Sequence, residues 1–175
     1  MLRTTAVCLL AATMLCAHLP NNAQAAGAKA FLEKMQGKWR GRGKVKATPT
    51  AKSRRVNCTI TGTLNEGTRK LENAGLCATA QGRQRVSGSI GYSADGSKIA
   101  GVFFRQSGDV QVTKSRGTVS GNTLLLTSTL VGARAGRLVR TRTTVKLSGS
   151  KKFTISVSAN EGKGWENLGS ISFRK

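Results

Sequence analysis

Apolar and polar residues alternate with a period of two along most of this chain, from about residue 38 onward. Successive side chains of a β-strand point to opposite faces, so this period indicates strands with one buried face and one solvated face. Turn residues rich in Gly, Asn, Asp and Ser separate ten such segments. The segments are 38–47, 54–64, 71–80, 85–92, 98–105, 110–119, 123–131, 138–147, 153–159 and 165–174.

One stretch before these segments has a helical period instead. In 28–36, Phe31, Leu32 and Met35 fall on one helical face, and Gly37 is a typical helix end. No helical crossover separates the later strands, so consecutive strands should pair antiparallel through tight turns and close readily. We therefore predict an all-β fold, an antiparallel up-and-down barrel of about eight to ten strands with one short N-terminal helix. A two-sheet β-sandwich is the alternative.

The first 25 residues differ in composition from the rest of the chain. Arg3 precedes an apolar run from Ala6 to Ala17, and Ala23-Gln24-Ala25 forms an A-x-A cleavage site, which together predict a signal peptide. The apolar run is too short to span a bilayer, and no later segment is apolar enough to do so. The predicted organisation is a cleaved signal peptide over 1–25, an N-terminal helical segment over 26–37 and the barrel over 38–175. We expect a periplasmic or secreted protein, which leaves peripheral contact with a membrane open.

Removal of the signal peptide leaves two cysteines, Cys58 and Cys77, and no histidine. An even pair of cysteines in an oxidising compartment predicts a disulfide. The two positions are symmetric about the predicted turn at Gly67, in a register that also sets Leu64 opposite Leu71, so the half-cystines should face each other on adjacent strands. Two thiols without histidine leave a zinc site two ligands short, and we predict no metal and no cofactor.

Side chains for common enzymatic chemistry are sparse in the mature chain. Without histidine or a free thiol, the familiar nucleophilic constellations are excluded. Most acidic residues fall in or beside predicted turns, where solvated carboxylates are usual, and no two are placed for glycoside chemistry. The acids are Glu33, Glu66, Glu72, Asp95, Asp109, Glu161 and Glu166. We predict no catalytic residues and a protein that is not an enzyme.

Basic residues dominate the charge, with 29 Lys+Arg against 7 Asp+Glu and a formal net charge of +22. Several of these cations share a strand face, and neither of the strands that carry them contains an acid. Lys38, Arg40, Arg42, Lys44 and Lys46 share one face of the first strand, and Arg140, Arg142 and Lys146 share one face of a late strand. A merely solvated face normally mixes both signs, so we predict that both sets bind an anion; general solubility is the alternative.

The partner should then be anionic. Nucleic acid is disfavoured because aromatic residues are few and lack the spacing that stacks bases; the adjacent Phe103 and Phe104 point to opposite faces. Export favours an anionic component of the bacterial envelope, namely a lipid headgroup, lipopolysaccharide or acidic polysaccharide. The alternative is a protein-interaction module, an inhibitor or envelope-assembly factor that docks on an acidic protein. Many small inward residues also leave open a ligand cavity inside the barrel.

The segment Gly37-Lys38-Trp39-Arg40-Gly41-Arg42-Gly43, after a short helix, resembles the start of a calycin-type barrel. Lipocalins begin with a helical turn and G-x-W, and nitrobindin-like barrels with G-x-W-x-G-x-G. The resemblance implies that Trp39 closes one end of the barrel and that a basic residue of a late strand, matched by Arg174, packs over it. Nitrobindin-like barrels bind haem through a histidine, which the mature chain lacks, so the resemblance implies a barrel without haem.

Overall fold

The computed structural model describes residues 22–106, 110–112, 115–132 and 138–175. One helix, α1, covers Asn22–Lys34. The strands are β1 Gly37–Val45, β2 Arg54–Asn65, β3 Lys70–Thr79, β4 Gly82–Tyr92, β5 Ile99–Gln106, β6 Val110–Val112, β7 Ser115–Ser120, β8 Thr123–Gly132, β9 Leu138–Leu147, β10 Lys152–Asn160 and β11 Trp165–Arg174. Among these residues, no helix is both long and apolar enough to cross a membrane.

The strands close into an antiparallel barrel of ten positions. Neighbours follow chain order from β1 to β5, then β7 to β11, and β11 pairs back with β1. β6 and β7 pair with successive parts of β8, so together they occupy one position and correspond to the predicted strand 110–119. The prediction of an all-β barrel with one short helix is confirmed, and the sandwich alternative is not formed.

The helix begins earlier and ends earlier than the predicted 28–36. Its end is set by the amides of Met35 and Gln36, which donate to the carbonyls of Leu32 and Glu33 at 3.0 and 3.2 Å and tighten the chain into a turn. Gly37 follows with a φ of 102°, a conformation that other residues rarely adopt. Cleavage after residue 25 would remove the first turn of α1. The signal peptide itself stays a prediction, since residues 1–21 lie outside the described part.

Large side chains fill the interior at the end of the barrel that α1 covers. The ring of Trp39 meets Phe153 edge-on at 4.6 Å between centroids, and Phe153 stacks on Phe173 at 4.7 Å. All three residues are buried, together with Phe31 and Leu32 on the inner face of α1. Burial of each such side chain stabilises the fold by about 1.5–3 kcal/mol, so this stack ties β1, β10, β11 and the helix into one core.

Cys58 and Cys77 form a disulfide between directly opposed positions of β2 and β3. The same register sets Leu64 opposite Leu71, as the symmetry about the turn predicts. The predicted disulfide is therefore confirmed. The two Cα atoms are 4.0 Å apart, just below the usual range for a disulfide.

Candidate functional site

β1 has one buried face and one cationic face. Its inward residues, Trp39, Gly41, Gly43 and Val45, are buried or half-buried, and its outward residues, Lys38, Arg40, Arg42 and Lys44, are all exposed. This is the alternation that the sequence predicts for these residues. The cationic side chains therefore project from the outside of the barrel wall, away from the core.

The two inward glycines of β1 are required by what packs against them. A Cβ at Gly41 would collide with the ring of Phe173, and a Cβ at Gly43 would collide with the carbonyl oxygen of Ser170. Both obstacles belong to β11, which pairs directly with β1. The glycines thus allow β11 to lie close against β1, and this contact sets the residues that flank the cations on the outer face.

Each of three outward cations of β1 has one neighbour on β2 and one on β11. Arg40 lies between Thr59 and Arg174, Arg42 between Asn57 and Ser172, and Lys44 between Arg55 and Ser170. The neighbours are either further cations or uncharged side chains that donate hydrogen bonds. Such a mixture suits phosphate, sulfate or carboxylate oxygens, which accept charge-assisted hydrogen bonds from guanidinium groups and further bonds from hydroxyls and amides.

Two adjoining depressions follow these residues. One, of about 710 Å³, is lined by Arg40, Gly41, Arg42, Asn57, Cys58, Thr59, Ser172 and Arg174. The other, of about 620 Å³, is lined by Arg42, Gly43, Lys44, Arg55, Val56, Asn57, Ser170 and Ser172. Because they share Arg42, Asn57 and Ser172, they form one continuous trough, which we call the cationic groove. No acidic residue lines it.

Three acidic residues form side-chain contacts in the described part of the chain, and none of them lines this groove: Glu33, Glu66 and Asp95. Lys29 of α1 forms salt bridges with Glu33 at 3.6 Å and Glu66 at 3.4 Å. The hydrogen bond to Glu66 and the charges of Glu66 and Glu33 raise the pKa of Lys29 above its ordinary value. Hydrogen bonds from the side chains of Ser93 and Ser97 lower the pKa of Asp95 to about 2.

Within the described ranges, no carboxylate forms a salt bridge with a cation of the groove. The positive potential of the groove is therefore uncompensated by the protein itself and should attract anions from solution. The same part of the chain holds no group of three His, Cys, Asp or Glu side chains that could bind a metal ion.

Lys46 departs from the predicted row because β1 ends at Val45. Its backbone amide donates to the carbonyl of Leu168 at 2.6 Å, and its ammonium donates to the carbonyl of Pro49 at 3.3 Å. Lys46 is half-buried and does not line the groove. Lys38 stays in the row, on the side of the helix, but also lies outside the two depressions.

The late set of cations lies on a separate part of the wall. Arg140, Arg142 and Lys146 are exposed on β9, but β10 and β11 lie between β9 and β1. Three strand spacings amount to about 14 Å, and none of these three residues lines the cationic groove. The guanidinium of Arg142 instead lies 4.2 Å from the ring centroid of Trp165. Closure of the barrel sets β11, and not β9, beside β1.

Trp39 lies at the helix end of the barrel, as the calycin resemblance implies, and its Nε1 donates to the carbonyl of Met35 at 2.9 Å. The residue over its ring is Lys175, whose Nζ lies 4.7 Å from the ring centroid. The prediction that Arg174 packs there is wrong. Phe173 points inward, so strand alternation turns Arg174 outward into the cationic groove, while Lys175 follows the strand end and reaches the ring.

Sequence reasoning missed the residues that β2 and β11 contribute to the groove. They are Arg55, Asn57, Thr59, Ser170, Ser172 and, in this role, Arg174. The period of two in 54–64 already indicates an outward face of β2, and the neighbour relation of β1 and β2 follows from chain order. The contribution of β11 depends on closure of the barrel, for which the sequence carries no local signal.

The fold and the groove define a closed ten-stranded antiparallel barrel with a helix at one end and a cationic outer face. Residues 24–175 match the family described as "Protein of unknown function (DUF1579)", and the chain belongs to this family. No curated protein matches the chain.

Two solved structures share the architecture. Rv2717c from M. tuberculosis superposes with a TM-score of 0.65 at 17% identity, over 85% of this chain and 96% of that chain. The S-type phycobiliprotein lyase CPES from Guillardia theta superposes with a TM-score of 0.59 at 11% identity, over 89% of this chain and 97% of that chain. At such identities the likeness shows the barrel fold alone.

Proposed function

We propose that this protein is an exported, non-enzymatic binding protein of the bacterial envelope, which engages an anionic or amphipathic ligand through the cationic groove. The observation that carries the proposal is the groove itself, whose five exposed cations have no acid among the lining residues. These cations are Arg40, Arg42, Lys44, Arg55 and Arg174. The ligand class is a lipid headgroup, lipopolysaccharide or acidic polysaccharide.

The fold supports a binding role. The short helix, the Gly37–Gly43 motif and the buried Trp39 support a calycin-type barrel, and a similar barrel carries the name phycobiliprotein lyase, which favours ligand binding. The aromatic stack fills the helix end of the interior, whereas the groove is open on the outside. These observations therefore favour a ligand that binds to the outer wall of the barrel.

The predicted signal peptide and the disulfide between Cys58 and Cys77 support an oxidising compartment outside the cytoplasm. In that compartment, anionic headgroups and lipopolysaccharide are abundant polyanions. We expect the secreted chain to begin at Ala26, which N-terminal sequencing of the protein recovered from the periplasm or medium would check.

The test replaces Arg40, Arg42 and Lys44 with Gln and measures binding to lipopolysaccharide and to anionic phospholipid vesicles at low and physiological salt. Each cation near an anionic lipid surface contributes about 1 kcal/mol, so the triple variant should bind about 100-fold more weakly. Because exposed charges are screened over about 8 Å at physiological salt, binding of the unmodified protein should fall steeply as salt rises.

A control variant replaces Lys34, Lys98 and Lys163 with Gln. All three are exposed, none lines the groove, and the change in net charge is identical. An equal loss of affinity in both triple variants would show that binding depends only on net charge, which would refute the proposal. Absence of binding by the unmodified protein would refute it as well. A protein captured from envelope extract by the unmodified chain alone, without lipopolysaccharide binding, would favour docking on an acidic protein instead.

A further inference from the structure

Two pairs of like charges face each other across strands in the cationic groove. Arg40 of β1 is directly opposite Arg174 of β11, and Lys44 of β1 is directly opposite Arg55 of β2. The Cβ atoms of directly opposed residues are about 4.5–5.5 Å apart, and like charges in that position destabilise a sheet. All four side chains are exposed, and no salt bridge to a described carboxylate offsets the repulsion.

The first pair extends onto a third strand. Lys152 of β10 is directly opposite Arg174, so Lys152, Arg174 and Arg40 form a continuous row of three exposed cations across β10, β11 and β1. An anion held between two such neighbours attracts both of them, and these two attractions offset the repulsion between the cations. Guanidinium groups also present paired N–H donors that fit two oxygens of one phosphate.

The two pairs are separated along the groove by a less charged segment. Arg42 lies between them on β1, flanked by the amide of Asn57 and the hydroxyl of Ser172. Arg40 and Lys44 are four residues apart, or about 13 Å along the strand, and the pairs lie on opposite sides of β1, so their centres are about 14 Å apart.

We infer that the Arg40–Arg174 pair and the Lys44–Arg55 pair are two anion subsites, and that the ligand carries two phosphate groups joined by a polar spacer of matching length. A disaccharide phosphorylated at both ends, as in the lipid anchor of lipopolysaccharide, has this chemistry. Asn57 and Ser172 would then face the hydroxyl-rich sugar between the phosphates. The inference rests on the proposed function and names its ligand class.

The experiment compares a disaccharide lipid that carries two phosphates with the same lipid carrying one, in the same detergent, by calorimetry. Two linked contacts should give the unmodified protein at least about tenfold higher affinity for the diphosphorylated form. The variants Arg40→Gln/Arg174→Gln and Lys44→Gln/Arg55→Gln should each bring the ratio of the two affinities close to one. The matched control Lys98→Gln/Lys163→Gln should keep the preference.

A further arm uses the diphosphorylated disaccharide without acyl chains as a competitor. Competition by this soluble molecule, but not by inorganic phosphate at the same concentration, supports recognition of the spaced phosphates. Circular dichroism checks that each double variant is folded, which we expect because each removes a repulsion.

The outcomes separate the two proposals. Equal affinity of the unmodified protein for both lipids, or a preference that both double variants keep, overturns the two-subsite inference while the proposed function stands. If the unmodified protein binds neither lipid and also does not bind anionic vesicles, the proposed function itself is refuted.

Discussion

The close contact between β1 and β11 predicts that a side chain at Gly41 destabilises the barrel. This glycine has an ordinary strand conformation, and a Cβ placed on it would have three ring carbons of Phe173 within 2.8 Å. Phe173 is fully buried and stacked on Phe153, so its ring has no free space into which to move. Gly41→Ala should therefore destabilise the barrel, although alanine is ordinarily the better residue in a strand.

The magnitude follows from two opposing effects. Replacing glycine with alanine reduces the entropy of the unfolded chain and stabilises by about 0.4–1 kcal/mol where the site has room. Adding a methyl group to a packed core costs about 1–3 kcal/mol. The net loss at Gly41 should be about 1–2 kcal/mol, which lowers the thermal midpoint of a domain of this size by about 2–8 °C.

The assay is thermal and urea unfolding, monitored by circular dichroism, of Gly41→Ala, Gly27→Ala, Phe173→Leu and Gly41→Ala/Phe173→Leu beside the unmodified protein. Gly27→Ala is the matched control, because no atom lies within 4 Å of a Cβ at that position, and its stability should be unchanged or slightly raised. In Gly41→Ala/Phe173→Leu the smaller side chain relieves the clash, so the cost of the alanine should shrink by at least about 0.5 kcal/mol.

An unchanged or higher midpoint for Gly41→Ala would refute this reasoning. So would an equal cost of the alanine with Phe173 and with Leu at the neighbouring position. Either result would mean that β11 does not lie against β1 as described, and the pairing of Arg40 with Arg174 in the groove would lose its basis.

Three further predictions concern single contacts. Cys58→Ala/Cys77→Ala should lose about 3 kcal/mol of stability by chain entropy. Thiol titration of the denatured, unreduced mature protein without substitutions should find no thiol, and two reactive thiols would contradict the bond. Lys175→Gln should destabilise by about 0.5–1 kcal/mol through loss of its contact with the buried indole, whereas Arg174→Gln should not, and equal effects would contradict this assignment. The carboxyl of Asp95 should titrate by NMR near its pKa of about 2. Because this pKa is depressed from 3.8, the ionised carboxyl of Asp95 stabilises the fold above pH 3.8, and this contribution is lost as pH falls through about 2. Titration of Asp95 near 3.8 would show that the serine contacts are absent.

Local patterns were sufficient to predict much of this protein. The period of two places Arg40, Arg42 and Lys44 on one outward face because each residue of a strand alternates regardless of what lies beyond it. The pairing of Cys58 with Cys77 follows from symmetry about one turn, because a hairpin register is set by the turn and the residues next to it. Both predictions depend on contacts between residues close together in the chain.

Closure of the barrel decided the rest. Which strand flanks β1 on its far side, and in which register, depends on the number of strands and their stagger, which no single segment encodes. This arrangement sets Arg174 opposite Arg40, places Lys175 over Trp39 and leaves two strands between β9 and β1. The cationic face could be predicted from the sequence, but the groove forms only where the two ends of the chain meet. One of its three strands, β11, contributes Ser170, Ser172 and Arg174, which lie more than a hundred positions away from the residues of β1 and β2.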